Sequence, residues 1–168
     1  MKPPKIPESV LVVIHTPDLQ VLLIERADHR GFWQSVTGSR DSVDEPLTLT
    51  CRREVFEETG IDATGYPLQD WQITNRYEIY LHWRHRYAPG VTHNTEHVFG
   101  LLLPEPIVPV LAPREHSDWR WLPWHEAAPM CFSWSNVQAI EALPHHFDPR
   151  LAAADRRDAV QPPRPASR

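Results

Sequence analysis

The order of strands and helices readable in this sequence predicts an α/β chain, a sandwich built around a mixed β-sheet. Three observations carry the prediction. Apolar, β-branched runs of strand length recur along the chain, beginning with Glu8 to His15 (ESVLVVIH). One longer segment, Pro46 to Thr59, has a proline in its first turn and Gly60 just past its end, the usual punctuation of a helix. A second helical segment, Ser133 to Leu143, follows further strands, so the order is strands, helix, strands, helix.

The elements follow in order. Glu8 to His15 reads as a buried strand. Thr16-Pro17-Asp18 is a turn signal, and Gln20 to Glu25 makes the second arm of a hairpin. Gly31 to Thr37 (GFWQSVT) leads into Gly38, and Asp44 or Glu45 stands near the N-cap of the first helix. Trp71 to His85 has extended character, with Tyr77, Ile79, Leu81 and Trp83 alternating against Glu78, Tyr80, His82 and Arg84. In that alternation Tyr77 and Tyr80 face opposite ways. Tyr87-Ala88-Pro89-Gly90 ends the strand, and His97 to Leu103 and Asp118 to Leu122 are further strands. Ser135 and Gln138 have capping-box spacing in the last helix.

Size and composition bound the function. The 168 residues, 41% of them hydrophobic, suffice for one domain with a core, expected over 1–148. From Pro149 the chain is Ala, Arg, Asp and Pro with few large apolar groups, so 149–168 is expected to be a disordered tail. A net charge of −5 argues against a broad basic surface for nucleic acid. Apolar runs such as Val10 to Ile14 are too short to span a membrane, and MKPPKIPESV lacks the apolar stretch of a signal peptide. Cys51 and Cys131 are too few for a disulfide framework, and free buried thiols suit a cytoplasmic location. The ten histidines show no HExxH spacing, and none is read as a metal ligand.

The chemistry concentrates between Gly38 and Ile61. On a helix Glu54, Glu57 and Glu58 fall at i, i+3 and i+4, so three carboxylates share one face and repel. Such faces are also common on solvated helices. A divalent cation would turn the repulsion into a binding site, because carboxylate oxygens and substrate phosphates are what Mg²⁺ prefers. The stretch resembles the Nudix box, G-x5-E-x7-R-E-U-x-E-E-x-G-U, with U a bulky aliphatic residue. Arg53 to Ile61 matches throughout, and Glu45 takes the first glutamate position. Six residues instead of five separate Gly38 from Glu45, a one-residue insertion in the loop. Asp44 would fit only if the helix face rotated.

The resemblance implies the Nudix fold, an α/β/α sandwich with a central mixed sheet, and Mg²⁺- or Mn²⁺-dependent hydrolysis of a phosphoanhydride. It implies Glu54 and Glu58 as metal ligands, Glu57 as a further ligand or a base acting through water, and Arg53 as the group that holds a glutamate in its rotamer. Gly38 and Glu45 would support the site. Arg114 to Leu122 resembles the family's segment in which a loop glutamate, here Glu115, completes the metal site or acts as base. Phe32 to Ser39, Arg84 to Thr92, Asn94 to Glu96 and Ser133 to Asn136 resemble the branch of the family that acts on a pterin triphosphate in folate biosynthesis, releasing pyrophosphate. That likeness favours Lys5, Arg26, Thr37, the Tyr77-Glu78-Ile79-Tyr80 strand and Ser133 as substrate contacts. Arg84 and Arg86 are further candidates for phosphate, and Trp33 and Trp134 for ring stacking, although tryptophans of this kind are as often core. The implied partner is a small-molecule pterin or nucleoside triphosphate. A (deoxy)nucleoside triphosphate pyrophosphatase is the alternative. A non-catalytic sensor fits less well, because all the box glutamates are present.

Overall fold

The computed structural model describes residues 2–152. Seven strands form one sheet: β1 (Glu8–His15), β2 (Gln20–Arg26), β3 (Trp33–Gln34), β4 (Val36–Ser39), β5 (Leu68–Glu78), β6 (His93–Leu102) and β7 (His116–Pro123). The backbone order is β3-β2-β1-β6-β5, with β4 also on β1 and β7 also on β2. Only β1 and β6 pair in parallel among these ladders, which makes the sheet mixed.

Strand alternation gives each face its own core. Val10, Val12 and Ile14 of β1 pack with Cys51 and Val55 of helix α1 (Leu47–Thr59). Leu11 and Val13 face the other way, against Ala139, Ile140 and Leu143 of helix α3 (Trp134–His146). A one-turn helix, α2 (Trp124–Ala127), adds Ala127 to that second core. The result is the expected α/β/α sandwich. The tail expected over 149–168 lies largely outside the described residues; 149–152 are described and helical.

Several local expectations need correction. Helix α1 is capped by the backbone of Pro46, with no side-chain cap from Asp44 or Glu45. Its other end turns at Gly60, whose φ of 70° is left-handed and costs glycine little. Helix α3 is capped by Ser133, whose hydroxyl accepts the Asn136 N–H at 3.3 Å, and not by Ser135. The largest difference lies beyond Glu78. The alternation predicts strand as far as His85, but Leu81–Arg86 is a 3₁₀ segment. Aromatic residues continue there, yet Arg84 folds back onto Glu78 and the Ile79 carbonyl, which turns the chain out of the sheet.

Candidate active site

Helix α1 lies across β1 and β4 and presents its acidic face to one end of the sheet. Gly38 makes this approach possible. A Cβ there would stand 2.0 Å from Glu54 Cδ, so the glycine is what lets the Glu54 side chain lie against β4.

Arg53 organises the carboxylates. Its Nη1 meets Glu54 Oε1 at 2.8 Å and its Nη2 meets Glu45 Oε1 at 2.9 Å. Nη2 also donates to the Ser39 carbonyl at 2.9 Å, and Nε lies 3.1 Å from Asp41. Glu57, the i+4 partner, is farther away at 3.6 Å. The fork of guanidinium donors thus ties the helix to the preceding loop, which a lysine could not reproduce. The extra loop residue is absorbed before Glu45: Arg40 donates to the Val43 and Glu45 carbonyls and pairs with Glu8. Glu45 also accepts from the Thr50 hydroxyl at 2.5 Å. Held first by Arg53, its carboxyl is pushed down to about 2.

Three box glutamates meet three different environments. Glu58 is 6% exposed at its side chain, and its Oε2 has no hydrogen-bond partner. Burial, and then the charges of Glu54 and Glu115, push its carboxyl well above the ordinary range. Glu54 is 14% exposed, and burial raises its carboxyl to about 7 against the opposing pull of Arg53. Glu57 is 53% exposed and open to solvent. Oxygen or nitrogen atoms of Glu58, Glu115 and His116 come within 4.8 Å of one another. Glu115 and His116 reach the site because the β2–β7 register slips between Glu25 and Arg26, where Ala27 N–H donates to the Glu115 carbonyl.

A buried carboxylate with an orphaned oxygen, crowded by two others, is unfavourable unless it is protonated or meets a cation. Oxygen donors of this kind suit a hard divalent ion.

His116, which the sequence gives no ligand role along with the other histidines, lies beside Glu58 and Glu115. It is 4% exposed, its Nε2 lies 3.8 Å from Glu58 Oε1 and 3.2 Å from Gln34 Nε2, and burial pushes its imidazole down to about 4. No helical spacing announces it, because it is placed by the slip in strand pairing.

The basic residues gather beside the carboxylates. Lys5 precedes β1, and its N–H donates to the Arg86 carbonyl at 2.8 Å. Burial first, then the neighbouring Arg86, lowers its ammonium, while Glu54 and Glu58 act in the opposite direction. Arg26 ends β2 and pairs with Asp28 at 2.7 Å. Thr37 lies on β4, and its backbone acts on the Glu58 carboxyl, opposing the rise caused by burial.

The other predicted substrate contacts are more dispersed. Tyr77 accepts from Asn94 Nδ2 at 3.0 Å, and that amide also donates to the Ser9 hydroxyl at 2.7 Å. Together with Ser133 these groups belong to the α3 side of the sheet. Glu78 is engaged by Arg84, Ile79 is buried, and Tyr80 is half exposed beyond the strand end. Trp33 is core, 6% exposed with Arg120 over its ring, whereas Trp134 is 52% exposed.

A mixed sheet between helices, with a glutamate-bearing helix clasped by one arginine, defines a class of phosphoanhydride hydrolases. The NUDIX domain model matches residues 5–143, and the chain belongs to that family as a Nudix hydrolase. It is similar to the dihydroneopterin triphosphate diphosphatase of Escherichia coli (strain K12), 47% identical over 140 residues, which cover 82% of this chain and 91% of that protein. The Haemophilus influenzae enzyme of the same name is 40% identical over 137 residues, covering 80% and 85%. Among solved structures, the E. coli dihydroneopterin triphosphate pyrophosphohydrolase superposes with a TM-score of 0.76 at 48% identity, covering 83% of this chain and 96% of that one.

Proposed function

We propose that this chain hydrolyses dihydroneopterin triphosphate to dihydroneopterin monophosphate and pyrophosphate, in the cytoplasm and with Mg²⁺ as cofactor. The observation that carries the chemistry is the buried Glu58 carboxylate, lacking a partner at Oε2 and crowded by Glu54 and Glu115. The substrate is the one named for relatives that are 47% and 40% identical over the 140 and 137 residues aligned.

Glu54, Glu58 and Glu115 would hold the metal, with the solvent-exposed Glu57 as a further ligand or a base acting through water. Bound Mg²⁺, or Mn²⁺, supplies an acidified water and charge neutralisation on the phosphates. Arg53 keeps Glu54 and Glu45 in fixed rotamers, so the carboxylates are aligned before substrate arrives. The water oxygen bonds to the α-phosphorus while the bond to the α–β bridging oxygen breaks. The bonding pair leaves with pyrophosphate, and the proton of the water passes to a carboxylate, Glu57 or Glu115. Lys5 and Arg26 take phosphate oxygens. Thr37, Tyr77, Ser133 and the backbone from Glu78 through Ile79 to Tyr80 frame the pterin.

A panel of triphosphates with quantified pyrophosphate release tests the reading. Dihydroneopterin triphosphate is expected to exceed dATP and dGTP in kcat/KM by about tenfold or more. A preference for a nucleotide would move the assignment to a nucleoside triphosphate pyrophosphatase. Binding without turnover of any compound would leave a sensor.

A further inference from the structure

The segment between β5 and β6 carries Arg84, His85 and Arg86 in a row, and the structure separates the two arginines. Arg84 is spent within its own segment, with Nε on the Ile79 carbonyl at 3.0 Å and Nη2 on Glu78. No carboxylate among the described residues pairs with Arg86 within ion-pair distance. Its guanidinium carbon stands 5.7 Å from the Trp83 ring centre, and that of Arg26 stands 4.7 Å from the same ring. Two cations thus share one indole, and Lys5 is tied to Arg86 through the backbone and feels its charge. Lys5 also feels Glu54 and Glu58, so this cation cluster adjoins the carboxylate set.

Three like charges at one place raise the energy of the empty site. They repel unless a polyanion sits among them. Asp28 pairs directly with Arg26 and feels the charge of Arg86 only at longer range. The position of Arg86 is also fixed in advance. Its carbonyl is held by the Lys5 N–H, Lys5 bridges to the adjacent Tyr87, and the Lys5 ammonium stands 5.8 Å from the Tyr87 ring centre.

We propose that Arg86, backed by Trp83, binds the terminal phosphates of the substrate and stabilises the departing pyrophosphate. The inference rests on the reading of the chain as a triphosphate hydrolase. When the bond from the α-phosphorus to the bridging oxygen breaks, the electron pair and its charge move onto pyrophosphate. A guanidinium placed there gains interaction energy as the charge develops.

The test uses the full chain, Mg²⁺ and inorganic pyrophosphate, with binding measured by calorimetry. Replacing Arg86 by glutamine leaves its backbone contact with Lys5 intact, so the fold should persist, which a thermal melt checks. R86Q is expected to weaken pyrophosphate binding about 10- to 100-fold, with R86K recovering part of the loss. Hydrolysis of a nucleoside triphosphate should fall more than that of the matching diphosphate. Pyrophosphate affinity within about twofold of wild type in R86Q would overturn the assignment. Every triphosphate cut at the α-phosphorus releases the same ion, so this result stands apart from whether the substrate is a pterin.

Discussion

At the scale of single residues, neighbouring glutamates on one helix are separated by environment. Glu57 is solvated, Glu54 is anchored by Arg53, and Glu58 is buried with one oxygen unanswered. An isosteric amide at Glu58 would remove a proposed metal ligand and a buried carboxyl together. Glu58→Gln should therefore lower kcat/KM by at least about 100-fold while raising the melting temperature of the metal-free protein. Activity near wild type, measured at saturating Mg²⁺, would remove Glu58 from the metal site. Gly38→Ala probes the same place from the strand side. The new methyl would collide with Glu54, whose carboxyl and Cγ both lie within 2.3 Å of the Cβ position. Turnover should collapse with little change in far-ultraviolet circular dichroism, because the clash meets the far end of a side chain and not the backbone.

Elements show where sequence reading succeeds. Strand β1 is expected over Glu8 to His15 and observed there, since its central run from Val10 to Ile14 is apolar and buried on both faces. Helix α1 is bounded by Pro46 and Gly60, residues whose backbone preferences act locally. The chain beyond Glu78 is misread because strand and 3₁₀ segment share the same aromatic composition, and the deciding contact is the fold-back of Arg84. Of the site, the residues on α1 are legible because helical spacing sets them on one face. His116, Gln34 and the junction of Lys5 with Arg86 are not legible, since they are assembled by strand register and long-range pairing. The loop from Ser39 to Glu45 joins the two kinds of information through Arg53. Arg53→Lys keeps the charge but loses the fork that spans Glu45, Glu54 and the Ser39 carbonyl. It should lower kcat about 10- to 100-fold, and the melting temperature by a few degrees, in paired kinetic and thermal measurements.

For the whole molecule, the perturbed groups set how stability follows pH. Glu54 and Glu96 are raised to about 7, both chiefly by burial, and Glu58 is raised well above its ordinary range for the same reason. Between their unfolded pKa, near 4.5, and these folded values, the native state holds protons that the unfolded chain has released. These carboxyls therefore contribute stability at low pH that is lost as pH rises through about 7. His15 and His116, both pushed down to about 4 by burial, act with the opposite sign between about 4 and 6.5 and partly cancel the effect there. Glu45, held down at about 2, adds stability above its unfolded pKa near 4.5 that is lost as pH falls toward 2. The uncancelled window lies above pH 6.5, where the metal-free protein should melt at progressively lower temperature up to about pH 8. On the proposed reading Mg²⁺ would bind the deprotonated carboxylates, so its stabilising effect should grow across that same window. At about 100 times its dissociation constant the ion adds roughly 2.7 kcal/mol, a shift of about 5–10 °C for a domain of this size. Melting curves at pH 6.5 and pH 8, with Mg²⁺ and with a chelator, read both effects. A Mg²⁺-induced shift that is equal at the two pH values, or larger at the lower one, would mean that the ion is not held by the raised carboxyls of Glu54 and Glu58.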